Sequence, residues 1–142
     1  MYYGALEAGG TKMVCAIGDA DKNIIDRISI PTGTPDQSVP AMIDYFKKYD
    51  ISALGIGTFG PADINPNSPT YGSIMRSPKK DWEGFSLYKA FTDALGCLVV
   101  VDTDVNAAAW GEYLYGALKG LNSGMYLTVG TGIGGGIISD GR

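Results

Sequence analysis

Histidine is absent from the 142 residues, and cysteine occurs only at Cys15 and Cys97. A zinc site needs clustered thiolates and imidazoles, and a disulfide framework needs several paired cysteines, so this chain can build neither. The same absence excludes Ser-His and Cys-His catalysis within these residues. Two distant cysteines read as buried free thiols of a cytoplasmic protein. No apolar run reaches the ~18 residues of a membrane span, and the opening MYYGALEAGG lacks the basic-then-apolar order of a secretory leader. Basic residues are sparse and scattered: 11 Lys and Arg against 15 Asp and Glu leave a net charge of −4. Without a Lys/Arg cluster, nucleic acid is not expected as a partner, and no membrane partner is expected either. No period of roughly 20–50 residues recurs, which argues against a repeat architecture.

Glycine is what the chain has in quantity, 21 residues with seven prolines besides. They cluster at 4–10, 55–72 and 130–136, as loops with a task rather than low complexity. The remainder, 45% hydrophobic and 18% charged, is an ordinary globular composition with enough chain for one core.

Segments 2–7, 12–19 and 23–30 predict three strands joined by turns too short for anything but antiparallel hairpins. TPDQ at 34–37 is a capping box with proline at the first helical position. Val39, Met42, Ile43 and Phe46 follow at helical spacing, with Pro40 implying a kink or a start at Ser38. A strand at 52–58, a long loop at 59–84 and a helix at 86–94 come next. LVVV at 98–101 shows no polar alternation and predicts a strand covered on both faces. An Ala-rich helix at 104–118 and strands at 124–129 and 136–139 complete the chain. The order predicts an α/β fold: a mixed sheet of three antiparallel strands followed by αβ crossovers, with helices on both faces. The terminal strand–glycine turn–strand repeats the opening of the chain. It therefore predicts one domain over 1–120 and the first β-hairpin of a second over 121–142.

GTGIGG at 130–135 satisfies G-x-G-x-x-G, but a dinucleotide fold demands a helix next, and GIIS predicts a strand. No Walker loop is present. A strand–glycine turn–strand is left, in which consecutive N–H groups can face one concavity and an anion can approach closely. AGGTK at 8–12 is built alike, with two glycines, a hydroxyl and a cation. Each is either a tight turn or half of a clamp for a nucleotide's phosphates. Asp104 follows the apolar strand and opens the Ala-rich helix, as a reactive carboxylate or as an N-cap, with Asp102 as its rival. Gly57, Gly60 and Pro61 end a central strand, where they admit a sugar ring or merely turn the chain. Lys79 and Trp82 contact sugar or a partner subunit, or the lysine simply stands solvated, and Glu112 reads as a helix-surface charge.

EAGGTK at 7–12, GIGTFGP at 55–61, DTDVNAAAWGE at 102–112 and TVGTGIGGG at 128–136 occur in the order seen in the ROK family of sugar kinases and repressors. Asn65-Pro66, the stretch from Ser68 to Gly72, Ser77 to Lys79, and Trp82 resemble its fructokinase branch. The resemblance covers essentially the whole chain. It implies the two-domain actin-like (ribonuclease H-like) ATPase fold, with ATP in the cleft between domains and a hexose beside it. It further implies ATP-dependent phosphorylation of a hexose, fructose to fructose 6-phosphate, with Asp104 as general base. A sugar-responsive regulator of the same family and a non-catalytic actin-like ATP-binding module are the alternatives. By the same resemblance Gly9, Gly10, Thr11, Lys12, Gly130, Thr131, Gly132 and Gly134 hold the nucleotide. Gly57, Gly60, Pro61, Lys79, Thr103 and Asp104 face the sugar, and Glu7 meets Mg²⁺ through water. Glu7 stands where the family's first motif has Asp, and Thr103 where Asn is common. The family's Glu-x-Gly-His sugar contacts and any zinc loop would lie beyond Arg142. The chain thus resembles the N-terminal half of an enzyme that is a homodimer at full length and is inactive as this half alone.

Overall fold

The computed structural model describes residues 1–130 and 132–142, and among these it forms seven strands, three α-helices and one 3₁₀ turn. Strands β1 (Tyr2–Ala8), β2 (Lys12–Asp19) and β3 (Ile24–Pro31) pair antiparallel through short turns, as expected. Helix α1 (Pro35–Lys47) carries the chain over to β4 (Ile51–Thr58), which lies parallel to β1. Helix α2 (Leu87–Leu95) carries it to β5 (Leu98–Thr103), parallel to β4. The sheet order is β3-β2-β1-β4-β5, the mixed sheet that hairpins followed by crossovers dictate.

One face of this sheet is the core. Leu6, Cys15, Ile17, Leu54, Ile56, Val99 and Val101 alternate along the strands toward it, and Val39, Met42, Phe46, Leu87 and Phe91 of α1 and α2 pack on them. Helix α1 starts at Pro35 rather than Ser38. The Ser38 N–H already donates to the Thr34 carbonyl at 2.9 Å, and Gln37 Oε1 accepts the Thr34 N–H at 3.1 Å. Pro40 lies inside the helix on its exposed side.

The expectation that 98–101 is covered on both faces is wrong. Val99 and Val101 are buried, whereas Leu98 and Val100 are 66% and 53% exposed. β5 is an edge strand, and a strand's period of two sends its alternate residues to the outer face. There α3 (Asp104–Tyr115) packs near the carboxyl ends of the strands and leaves an open groove over Ala5, Gly55 and Val100. At β5's free edge the Tyr71 hydroxyl accepts the Val101 N–H at 2.8 Å and donates to the Val101 carbonyl at 3.0 Å.

Helix α3 ends at Tyr115, short of the expected 118. The Gly116 N–H donates to the Glu112 carbonyl, and Glu112 Oε2 accepts the Ala117 N–H at 2.7 Å, closing the helix. Small residues let α3 sit close to sheet on two sides. Ala107 Cβ is 3.0 Å from where a Cβ on Gly57 would stand, and Ala109 Cβ is 3.0 Å from the same point on Gly136. Gly136 belongs to the second sheet, the antiparallel pair β6 (Gly124–Val129) and β7 (Ile133–Ile138). β7 therefore starts inside the glycine stretch, three residues earlier than expected. A Cβ on Gly136 would also collide with the Val105 carbonyl oxygen, so glycine is what allows this strand to lie against the helix. Among the described residues no helix is long and apolar enough to cross a membrane.

Candidate functional site

The carboxyl ends of the parallel strands β1, β4 and β5 reach one edge of the sheet, where an open α/β sheet places its ligands. The segments leaving these ends, together with the β6–β7 turn, wall a cleft of about 720 Å³. Gly10 and Thr11 come from the first hairpin, Phe59 and Gly60 from the end of β4, and Ser77, Pro78 and Lys79 from the long loop. Thr103, Asp104 and Val105 open α3 on its floor, and Thr128, Gly130, Gly132, Ile133 and Gly134 close it from the last hairpin.

The first turn is held rigidly. The Gly9 N–H donates to the Lys12 carbonyl at 3.0 Å, and a Cβ on Gly9 would lie 2.6 Å from that oxygen. Thr32 braces it from β3's side, donating its hydroxyl to the Gly9 carbonyl at 2.8 Å and its N–H to the Thr11 carbonyl at 3.0 Å. The last turn is different. Among the described residues nothing lies within 4 Å of a Cβ placed on Gly130 or Gly132, so no described packing demands glycine there.

Thr103, not Asp104, is the N-cap of α3: its hydroxyl accepts the Asn106 N–H at 3.2 Å. Asp104 is the first residue of the helix, where a carboxylate also meets the positive end of the helix dipole. Its Oδ1 accepts the Val105 N–H at 2.9 Å, and its Oδ2 has no hydrogen-bond partner among the described residues. The rival Asp102 is engaged, its Oδ1 accepting the Thr103 N–H at 2.7 Å and the Asn106 Nδ2–H at 2.8 Å. Asp102 Oδ2 is likewise without a partner among the described residues, so the two carboxylates differ in place rather than in free oxygens: Asp104 lines the cleft and Asp102 does not.

The other expected site residues divide. Gly9 shapes the first turn without lining the cleft, and neither Lys12 nor Pro61 lines it. Pro61 follows a cis peptide bond from Gly60, and its carbonyl accepts the Met75 N–H at 2.8 Å. Gly57 is buried under α3, where a Cβ would press on Ala107 Cβ and stand 3.5 Å from Asp104 Cα. Packing of the helix start accounts for that glycine. Glu7 lines the neighbouring groove of about 640 Å³ on the outer face, together with Asp102 and Asp104. Asp104 is the acidic residue common to groove and cleft. Thr131 lies outside the described residues. Trp82, expected at a sugar or a subunit, is instead 1% exposed, with its indole N–H on the Gly33 carbonyl at 2.9 Å. Phe59 and Ser77 line the cleft without having been expected at the site; Phe59 stands in the glycine- and proline-rich stretch at 55–72, and Ser77 in the long loop that follows it.

Lys79 and Asp104 are the charged residues among those lining the cleft. The Tyr49 hydroxyl on Asp26, at 2.6 Å, holds that carboxyl below its usual range, and the Ser68 and Thr70 hydroxyls do the same for Asp63. No described cluster of three or more acidic, Cys or His side chains is arranged to hold a metal. Mg²⁺ seldom uses an all-protein cage and takes one or two carboxylates with substrate phosphates, and Glu7, the expected metal residue, shares its groove with Asp102 and Asp104. The unfilled space beside Gly130 and Gly132 fits a phosphate chain approaching bare backbone.

Residues 3–142 match the sequence profile of the ROK family. The chain belongs to the ROK family. It is 46% identical to a fructokinase of Lactococcus lactis subsp. cremoris over 99% of its own length and 48% of that protein. It is 45% identical to a fructokinase of Pediococcus pentosaceus over 98% of its own length and 48% of that protein. Its fold superposes with a TM-score of 0.84 on a ROK family glucokinase from Streptomyces griseus, solved in complex with glucose and AMPPNP. That protein is 31% identical, the match covering 100% of this chain and 46% of the other. The mixed sheet is thus that of the actin-like sugar-kinase fold. This ROK chain spans about half the length of the curated relatives it matches.

Proposed function

We propose that the full-length protein is an ATP-dependent hexose kinase with fructose as its sugar, and that this chain supplies the nucleotide-gripping domain and the base. The observation that carries the reading is the convergence of both glycine turns and Asp104 on one cleft. The names of the fructokinase relatives support fructose among hexoses. Residues 121–142 then open a second domain that completes the cleft, and the full-length protein is a homodimer.

In this reading the N–H groups at Gly10 and Gly132 receive phosphate oxygens, while the Gly130 N–H holds the turn by donating to the Gly132 carbonyl at 2.9 Å. Asp104 accepts the proton of a sugar hydroxyl as that oxygen bonds to the γ-phosphorus. The bond from phosphorus to the bridging oxygen breaks, and its electron pair leaves with ADP. Asp104 suits the task because it lines the cleft, with Oδ1 anchored by the Val105 N–H and Oδ2 without a partner among the described residues. Magnesium, when bound, would supply positive charge to the phosphates, and Glu7 is the residue that would hold it, through water. Transfer of this kind depends mainly on positioning and charge stabilisation, which the base supplements.

Steady-state rates of two full-length variants test the reading. Asp104→Asn keeps the acceptor for Val105, so the fold should persist while turnover on fructose and ATP falls ~10²–10⁴-fold, with ATP affinity little changed. Asp102→Asn keeps an oxygen toward Asn106 and should be far milder. The opposite ranking would move the chemistry to Asp102.

A further inference from the structure

The sequence places a cation beside the phosphates at Lys12, yet Lys12 does not line the cleft. Lys79 does, and it is the cation among the described lining residues. Its Cε lies 3.6 Å from where a Cβ on Gly10 would stand, so its stem runs past the first glycine turn.

The backbone that presents Lys79 is fixed. Its N–H donates at 3.2 Å to the hydroxyl of Ser77, which is buried, and its carbonyl accepts the Trp82 N–H at 3.0 Å. The Trp82 ring stands edge-on to Phe59 at 6.0 Å and to Phe85 at 5.6 Å, and its indole N–H ties the loop to Gly33. The neighbouring Lys80 is spent on Glu83 at 3.1 Å, whereas Lys79 has no ion-pair partner among the described residues. An unpaired ammonium on a fixed platform, facing a cleft with one carboxylate and two glycine turns, is arranged for an anion. A hexose is neutral. The anion that the proposed reaction brings between Gly10 and Asp104 is the phosphoryl group in transit.

We infer that Lys79 is a catalytic residue whose ammonium contacts the oxygens of the transferring phosphoryl group. This rests on the kinase reading above. Lys79 transfers no proton and forms no bond to phosphorus. The hydroxyl proton goes to Asp104, the new bond joins the sugar oxygen to phosphorus, and the bridging pair leaves with ADP. A fixed cation aimed at charge that spreads in the transition state is worth most where it need not reorganise.

The test uses the full-length protein with fructose and ATP. Lys79→Met should lower kcat ~10²-fold with KM for fructose nearly unchanged, and Lys79→Arg should restore much of the loss. Lys80→Met should behave as wild type. Calorimetry should show AMPPNP bound more weakly by Lys79→Met while AMP binding is unaltered, a readout that loss of loop structure would not give. Unchanged kcat in Lys79→Met, or a defect confined to KM for fructose, overturns the assignment; the second result would make Lys79 a sugar contact. Absence of hexose phosphorylation by the wild-type protein is a separate outcome, and it would overturn the kinase reading together with this role.

Discussion

Cys15 shows how far one side chain's chemistry is set by its place in the sheet. It is fully buried in the core, and burial pushes its thiol from an ordinary 9.0 up to about 12. Cys97 is half-buried, and its thiol is raised for the same reason. Thiolate is the reactive form, so a thiol reagent near pH 8 should label Cys97 slowly in the native protein and leave Cys15 untouched until the chain unfolds. Mass spectrometry of the labelled peptides reads the result, and early labelling of Cys15 would contradict the packing. The linkage has a definite sign. A thiol held protonated by the fold favours the native state fully below pH 9, and that contribution is lost as pH climbs from 9 toward about 12. Free thiols were legible in the sequence from their number and spacing; their ranking was not, because it depends on which face of β2 meets α1.

The last hairpin shows where sequence reading stops at the scale of elements. GTGIGGGII reads as one glycine stretch with one purpose, yet its two halves answer to different neighbours. Gly136 is glycine because the Val105 carbonyl of α3 lies where its Cβ would go, while Gly132 faces open space. Gly136→Ala should therefore destabilise by roughly 1–3 kcal/mol through overpacking. Gly132→Ala should leave stability nearly unchanged and, in the full-length protein, weaken binding of a nucleoside triphosphate. Denaturant melts beside calorimetry separate the two; equal melts would mean that α3 and β7 do not meet as described. Hairpins, crossovers and the mixed sheet were legible because turn length and periodicity are local properties. The reading of 98–101 failed because an apolar run does not say whether its strand lies at the centre or the edge of a sheet. Thr103 was missed as the N-cap because Asp104 and Thr103 are both good caps, and only the backbone decides between them.

For the molecule as a whole, the β6–β7 pair turns one side to α3 and the other to solvent. Met125, Leu127, Val129, Ile133 and Ile137 are each more than half exposed on it. Residues 1–142 as an isolated polypeptide should accordingly self-associate with rising concentration, visible as a shift in size-exclusion elution, and should show no fructose phosphorylation. A monomer at all concentrations would argue that this surface needs no cover. The free edge of β5 behaves otherwise, and the reason is Tyr71. A strand edge invites foreign strands because its N–H and C=O groups stand in register for a newcomer. Here a single phenol answers both groups of Val101, donating to one and accepting from the other. A would-be templating strand must evict that oxygen before it can add a rung. Tyr71→Phe removes the hydroxyl and leaves the ring, so fibril seeding monitored by thioflavin fluorescence should start sooner in that variant at equal concentration. Tyr71 thus guards the strand that leads into Asp104 against recruitment into someone else's sheet.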